Sequence, residues 1–313
     1  MNMKMDNAMK QPSKDFEDST ALLKHPGALH DKADQDGYLF FRGLLSNERV
    51  FRLRKQILHI LERRGLLSCD TDIMDGVADP ENVSQLVVQG TYGVGVSTEI
   101  YLEVQQLEEF HAIAQDPELL NVFKILFGSE PFPHPRNICR LIMPHPSMIP
   151  TPPHQDFLYI QGSSSTWTCW FPLGDCPREL GGLAMLEGSH KLGLLNVTGS
   201  SGAGGLESLL CGLNLEWAYG DYLAGDVVMF KSHTVHKAMP NQMGNKIRLS
   251  CDFRYQPEDQ VIDRSSLKAH GGFTWEEIYK DWKNEDLKYY WDKDTLTFSD
   301  WDKSIHIHTD KIC

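Results

Sequence analysis

An imidazole and a carboxylate stand two residues apart in Pro152-Pro153-His154-Gln155-Asp156-Phe157-Leu158-Tyr159-Ile160. On an extended strand His154 and Asp156 share one face. They supply two of the three ligands of a 2-His-1-carboxylate facial triad, which suits non-heme Fe(II) and leaves coordination positions open. H-x-D alone is a weak signal. A second copy, His308-Thr309-Asp310, sits at the polar C-terminal end with no strand after it and reads as a solvated tail. The first copy gains weight from two segments nearer the C-terminus. Gly225-Asp226-Val227-Val228-Met229-Phe230 reads as a turn into a buried strand, and Ser232-His233-Thr234-Val235-His236 comes straight after it with two further imidazoles. The stretch Ile247 to Tyr255 reads as another strand, whose alternation sets Arg248 and Ser250 on one face. A fixed guanidinium with a hydroxyl two residues on can hold a carboxylate by charge-assisted bonds, the arginine bidentately.

The ordered set H-x-D, a later His, then R-x-S resembles the phytanoyl-CoA dioxygenase family of Fe(II)/2-oxoglutarate oxygenases, over roughly residues 35 to 257. The resemblance implies Fe(II) held by His154, Asp156 and His236. It also implies 2-oxoglutarate chelating the iron through its keto-acid end, with its far carboxylate on Arg248 and Ser250. Such a site consumes O2, releases succinate and CO2, and hydroxylates an unactivated C–H of a small organic substrate; desaturation, ring formation and peroxidation use the same site. Either His233 or His236 could be the third ligand. The family's spacing to the arginine favours His236, twelve residues before Arg248 against fifteen for His233.

Three more residues enter with two readings each. Matching Thr166 to Leu173 with the family's strand puts Trp170 against 2-oxoglutarate and Thr168 near its keto-acid end; the other reading is that both simply fill the interior. Arg140 is either a second cation near the keto acid or substrate, or a salt-bridged surface arginine. His190, beyond the turn at Gly188, reads as structural. A cupin-like zinc hydrolase or isomerase is the competing function for the same three ligands. It has no need of Arg248 and Ser250 at this spacing, and an intact ligand set argues against a metal-free binding protein.

The elements that must carry these residues are read from periodicity. Residues 1 to 20 are polar and aperiodic and read as a mobile tail, and 21 to 257 as the dioxygenase domain. Residues 258 to 313 read as a C-terminal helical extension packed on the same domain. Asp34 to Leu45 reads as an opening strand. Ser46 caps a helix whose apolar Val50, Leu53, Ile57, Ile60 and Leu61 recur at helical spacing up to Gly65. Helices are also expected over 103–115 and 118–127, the latter opened by Asp116-Pro117 and stopped by Gly128. Asn137 to Met143 and Thr166 to Leu173 read as strands. The acidic loop 69–88 and the Gly/Ser-rich insertion 193–220 are candidate lids. Thr274 and Glu277 form a capping box for a helix containing Trp282, Tyr289, Tyr290 and Trp291; its aromatics either pack back on the domain or join two copies in a homodimer. Bracing helices followed by short alternating strands make an α+β plan, and the resemblance makes it a double-stranded β-helix, or jelly roll.

Composition sets the outer limits. The chain has 313 residues, 41% hydrophobic and 23% charged, enough to bury a large core. A net charge of -13 argues against nucleic acid or anionic lipid as partner and weakens the case for a CoA thioester. No apolar run reaches membrane-span length and the polar start lacks a signal-peptide core. Seven scattered cysteines, never spaced C-x-x-C, favour reduced thiols and a cytoplasmic location.

Overall fold

The computed structural model describes residues 12–86 and 93–305. Eight α-helices are found among them: α1 Pro26–Asp36, α2 Asn47–Arg63, α3 Pro80–Ser84, α4 Thr98–Gln105, α5 Glu108–Ala112, α6 Pro117–Phe127, α7 Phe157–Ile160 and α8 Trp275–Ile278. The strands are β1 Tyr38–Phe41, β2 Pro131–Pro133, β3 Ile138–Ile142, β4 Trp167–Pro172, β5 Leu183–Leu186, β6 Val197–Gly199 and β7 Leu206–Ser208. They continue with β8 Trp217–Ala218, β9 Val227–Lys231, β10 His236–Ala238, β11 Arg248–Pro257, β12 Ile262–Asp263 and β13 Phe298–Ser299.

The fold is a mixed α/β arrangement around antiparallel sheets. The main sheet runs β1-β9-β4-β11, with β2 and β3 both pairing the far side of β11; a smaller sheet runs β10-β5-β8. Every residue of β1, β4 and β11 is buried, because both faces of the main sheet are covered. One face (Leu39, Phe41, Cys169, Phe171, Val227, Met229, Leu249, Phe253) joins a core with helix residues such as Leu53, Ile57, Val104 and Phe123. The other (Tyr38, Phe40, Trp170, Val228, Phe230) meets Leu183, Met185 and Ala218 of the smaller sheet. The helices brace one side, and the polar even-numbered residues of β11 are left to face the interior between the sheets.

Ser46 caps α2 by accepting from the Arg49 N–H at 3.2 Å, and Asp116 with Pro117 opens α6, which stops at Gly128 with φ +65°. Several expectations need correction. The opening strand is only Tyr38–Phe41; Asp34 to Asp36 end α1, whose weak amphipathic pattern hid it. The expected tail is docked from residue 13. The Tyr219 N–H donates to the Lys14 carbonyl at 2.9 Å, Lys14 pairs with Glu187 at 2.8 Å, and Phe16 stacks on Phe40 at 4.8 Å. Its polar residues had concealed one aromatic anchor.

The insertion is also ordered. Its β6–β7 hairpin ties to the loop that carries His154 through the Ser208 N–H and the Pro153 carbonyl, 2.8 Å apart. At the C-terminal side the capping box forms as expected, but α8 lasts one turn. The Asn284 side chain then accepts from the Asp286 N–H and turns the chain into 3-10 geometry. The aromatics pack on the same chain: the Trp282 indole donates to the Gln106 carbonyl at 2.9 Å and its ring lies 5.0 Å from His111. Cys211 is disulfide-bonded, against the expectation of reduced thiols throughout, while Cys69, Cys139, Cys169, Cys176 and Cys251 are free; separation in sequence says nothing about approach in space. His308 and Asp310 lie outside the described residues. Among those described, no helix is long and apolar enough to cross a membrane.

Candidate active site

The extended pairing expected through the H-x-D segment reaches only His154. Its N–H and carbonyl exchange 3.0 Å hydrogen bonds with those of His236, so the two imidazoles stand directly opposite each other, ring centroids 4.1 Å apart. Asp156 already has helical backbone angles and begins α7. That turn, not strand alternation, swings its carboxylate back toward the imidazoles. His154, Asp156 and His236 are buried, with ligand atoms all within 4.8 Å of one another. Both histidines turn Nδ1 to a backbone carbonyl, His154 to Pro152 at 2.8 Å and His236 to Thr234 at 3.0 Å. This fixes the tautomer and presents Nε2 to the centre.

The two oxygens of Asp156 are divided in use. Oδ1 lies 3.7 Å from His154 Nε2 and 3.8 Å from His236 Nε2. Oδ2 accepts from the Thr168 hydroxyl at 2.5 Å and from Arg254 at 3.4 Å. Burial opposes ionisation, but Arg254 and the two imidazoles overcome it and hold the carboxyl well below the usual carboxylate range. Burial pushes the His236 imidazole down to about 3, leaving the neutral form that binds a metal. His233 is not in the set; its ring stacks on Phe157 at 4.4 Å.

Along the interior face of β11 stand Arg248, Ser250, Asp252 and Arg254. Arg140, opposite Ser250 on β3, pairs with Asp252 at 2.8 Å. It is a half-buried cation already paired with a carboxylate, which agrees with the salt-bridged reading in its pairing though not in a fully exposed position. Arg248 is 3% exposed, its Nη1 donates to the Gly181 carbonyl, and no carboxylate of the described residues lies within ion-pair distance. Burial pulls its pKa below the ordinary value. Arg248 Nε, Ser250 Oγ and Trp170 Nε1 are buried without hydrogen-bond partners; the guanidinium carbon is 6.0 Å from the Trp170 ring. Unsatisfied donors around an unneutralised cation fit an anionic ligand. Two imidazoles and a monodentate carboxylate fit a divalent iron with open positions. Thr168 does not stand free for the keto acid, since its hydroxyl is engaged by Asp156.

A cavity of about 400 Å³ reaches Arg248 between Ile142, Met143, Met148, Ile149 and Met239, with Gly202 to Gly204 of the hairpin tip across it. The acidic loop borders a different cavity of about 340 Å³ through Met74 and Asp75; Arg248 forms part of both walls. Asp252 and Arg254 were missed by sequence reasoning. The alternation that paired Arg248 with Ser250 extends unbroken to both.

This fold and donor set define a facial-triad metal enzyme scaffold. The chain belongs to the phytanoyl-CoA dioxygenase (PhyH) family, whose model matches residues 33–249. It is 28% identical over 290 residues to 1-deoxypentalenic acid 11-beta-hydroxylase of Streptomyces arenae, covering 85% of this chain and 92% of that protein. The enzyme of the same name from Streptomyces exfoliatus is 28% identical over 287 residues, with 85% and 92% coverage. In fold it is similar to the epimerase SnoN, solved with Fe3+, α-ketoglutarate and nogalamycin RO, at TM-score 0.53 and 19% identity over 77% of this chain and 86% of that one. The carbocyclase SnoK of nogalamycin biosynthesis gives TM-score 0.51 and 19% identity over 81% and 89%.

Proposed function

We propose that this protein is an Fe(II)- and 2-oxoglutarate-dependent oxygenase that hydroxylates an unactivated C–H of a small, mainly apolar organic molecule. The observation that carries the reading is Arg248, a buried guanidinium without a carboxylate partner that lines the cavity on a strand passing the triad. When bound, iron and 2-oxoglutarate supply with O2 the oxidising chemistry that hydroxylates the substrate and yields succinate and CO2. His154, Asp156 and His236 would hold the metal, and Arg248 with Ser250 the distal carboxylate, bordered by Trp170. Met143, Met148, Ile149 and Met239 line the cavity and would shape the substrate's seat. Arg248 is the one arginine or lysine lining that cavity among the described residues, which disfavours a CoA thioester. The names of the curated relatives, hydroxylases of a small organic acid, agree with a compact substrate. The two facing sheets are read as a double-stranded β-helix, with residues 258–305 as an extension on the same domain.

The test is anaerobic addition of Fe(II) and 2-oxoglutarate to metal-stripped protein. The expected result is the weak visible charge-transfer band of a chelated keto acid, lost or weakened in Arg248→Ala and His236→Ala. Tight zinc binding without that band would sink the oxygenase reading and promote the hydrolase.

A further inference from the structure

Thr168 and Arg254 are cross-strand partners, directly opposite each other in the β4–β11 register, and both reach the same oxygen, Asp156 Oδ2. We infer that they form a clamp that limits Asp156 to one ligand oxygen, with Arg254 as a positioning residue for the metal. The inference rests on the oxygenase reading of the triad.

Charge supports this assignment. Three arginines enter the interior from β3 and β11. Arg140 is neutralised by Asp252, and Arg248 faces the cavity. Arg254, 5% exposed, has Asp156 as its one carboxylate within ion-pair distance among the described residues. The pair is mutually dependent: without Arg254, Asp156 keeps only a hydroxyl on Oδ2, and without Asp156, Arg254 is a bare buried cation.

Geometry gives the clamp its function. A carboxylate with both oxygens free can close on a metal in bidentate fashion and fill a position that a chelating co-substrate needs. Here Oδ2 is engaged from two sides, and only Oδ1 faces the imidazoles. The clamp depends on strand register, since a slip of one residue in either strand would send that strand's member of the pair to the helical face. It therefore arrives preformed with the sheet, before any metal binds.

The test uses the full chain with Fe(II) and Co(II) as probes. Arg254→Met and Thr168→Val are each expected to weaken anaerobic Fe(II) binding, Arg254→Met by roughly 10–100-fold. The Co(II) d–d spectrum should change in intensity as the coordination number changes. Arg254→Lys, which keeps the charge without the fork, should recover part of the affinity and move the spectrum toward wild type. A role confined to folding stability would leave the Co(II) spectrum of the folded fraction unchanged. If Arg254→Met does not fold, Thr168→Val carries the same test with the loss of one hydroxyl.

Fe(II) affinity within twofold of wild type and an unaltered Co(II) spectrum in the folded variants overturn the clamp. A wild-type protein that binds no Fe(II) and gives no keto-acid band fails the oxygenase reading instead, so the two failures are distinguishable.

Discussion

The side-chain amide of Gln155 donates to the backbone carbonyl of His233 at 2.7 Å. The same amide donates to the Gly193 carbonyl at 2.8 Å, and its oxygen accepts from the Leu195 N–H at 2.8 Å. The residue between His154 and Asp156 thus joins their loop to the turn before β10 and to the start of the insertion. With its carbonyl held by Gln155 and its ring stacked on Phe157, His233 is fixed as support for the site, while His236 serves the centre.

Gln155→Leu keeps the volume and removes three hydrogen bonds between the buried Gln155 side chain and partly buried backbone groups. It is expected to cost about 2–4 kcal/mol of stability and to weaken Fe(II) binding, because His154 and Asp156 lose their shared tether. Urea unfolding and anaerobic Fe(II) titration check both; unchanged values in both would show that the tether is dispensable.

Arg248→Lys separates charge from geometry. A lysine keeps the positive charge but cannot make the bidentate contact. The affinity for 2-oxoglutarate, read from the keto-acid band, is expected to fall roughly 10–100-fold, corresponding to loss of about 1.5–3 kcal/mol of charge-assisted bonding. Fe(II) binding without co-substrate should remain, and its loss would assign Arg248 to the metal site.

His111 and His134 set an acid dependence of stability. Burial lowers both from the ordinary 6.5 to about 3, so both are neutral in the folded chain. Between these values the unfolded chain binds the extra protons. Stability is therefore full above about pH 6.5 and falls as pH drops toward 3, by up to roughly 1.4 kcal/mol per pH unit for each group. Urea midpoints of metal-free protein at several pH values from 7.5 to 4.5 check the sign; a level profile contradicts it.

Gly95→Ala tests how closely the chain passes β3. Gly95 has φ +92°, and an added Cβ would lie 2.1 Å from the Leu141 carbonyl oxygen, beside the 2.8 Å bond from the Leu141 N–H to the Val94 carbonyl. Strain and displacement together should cost at least about 2 kcal/mol. Because Gly95 also lines the cavity, the keto-acid band should survive while the wall beside it shifts. A thermal midpoint equal to wild type would show that the segment moves aside freely.

Ligand chemistry and strand alternation were legible in the chain itself. His154, Asp156, Arg248 and Ser250 are marked by residue type and spacing, His236 over His233 by the resemblance to the family, and the α2 and α6 caps by local backbone preference. These are short-range properties, carried within a few residues. The same alternation held Asp252 and Arg254, but nothing local said which charge would neutralise which. Tertiary structure decided that Arg140 pairs with Asp252, that Thr168 and Arg254 share one oxygen of Asp156, and that Arg248 alone among these arginines is left for a ligand. It also decided that Phe16 anchors the expected tail and that the Gly/Ser insertion is a hairpin. Each of these depends on register and burial between segments far apart in sequence. Those free energies are set by neighbours that a local pattern does not specify.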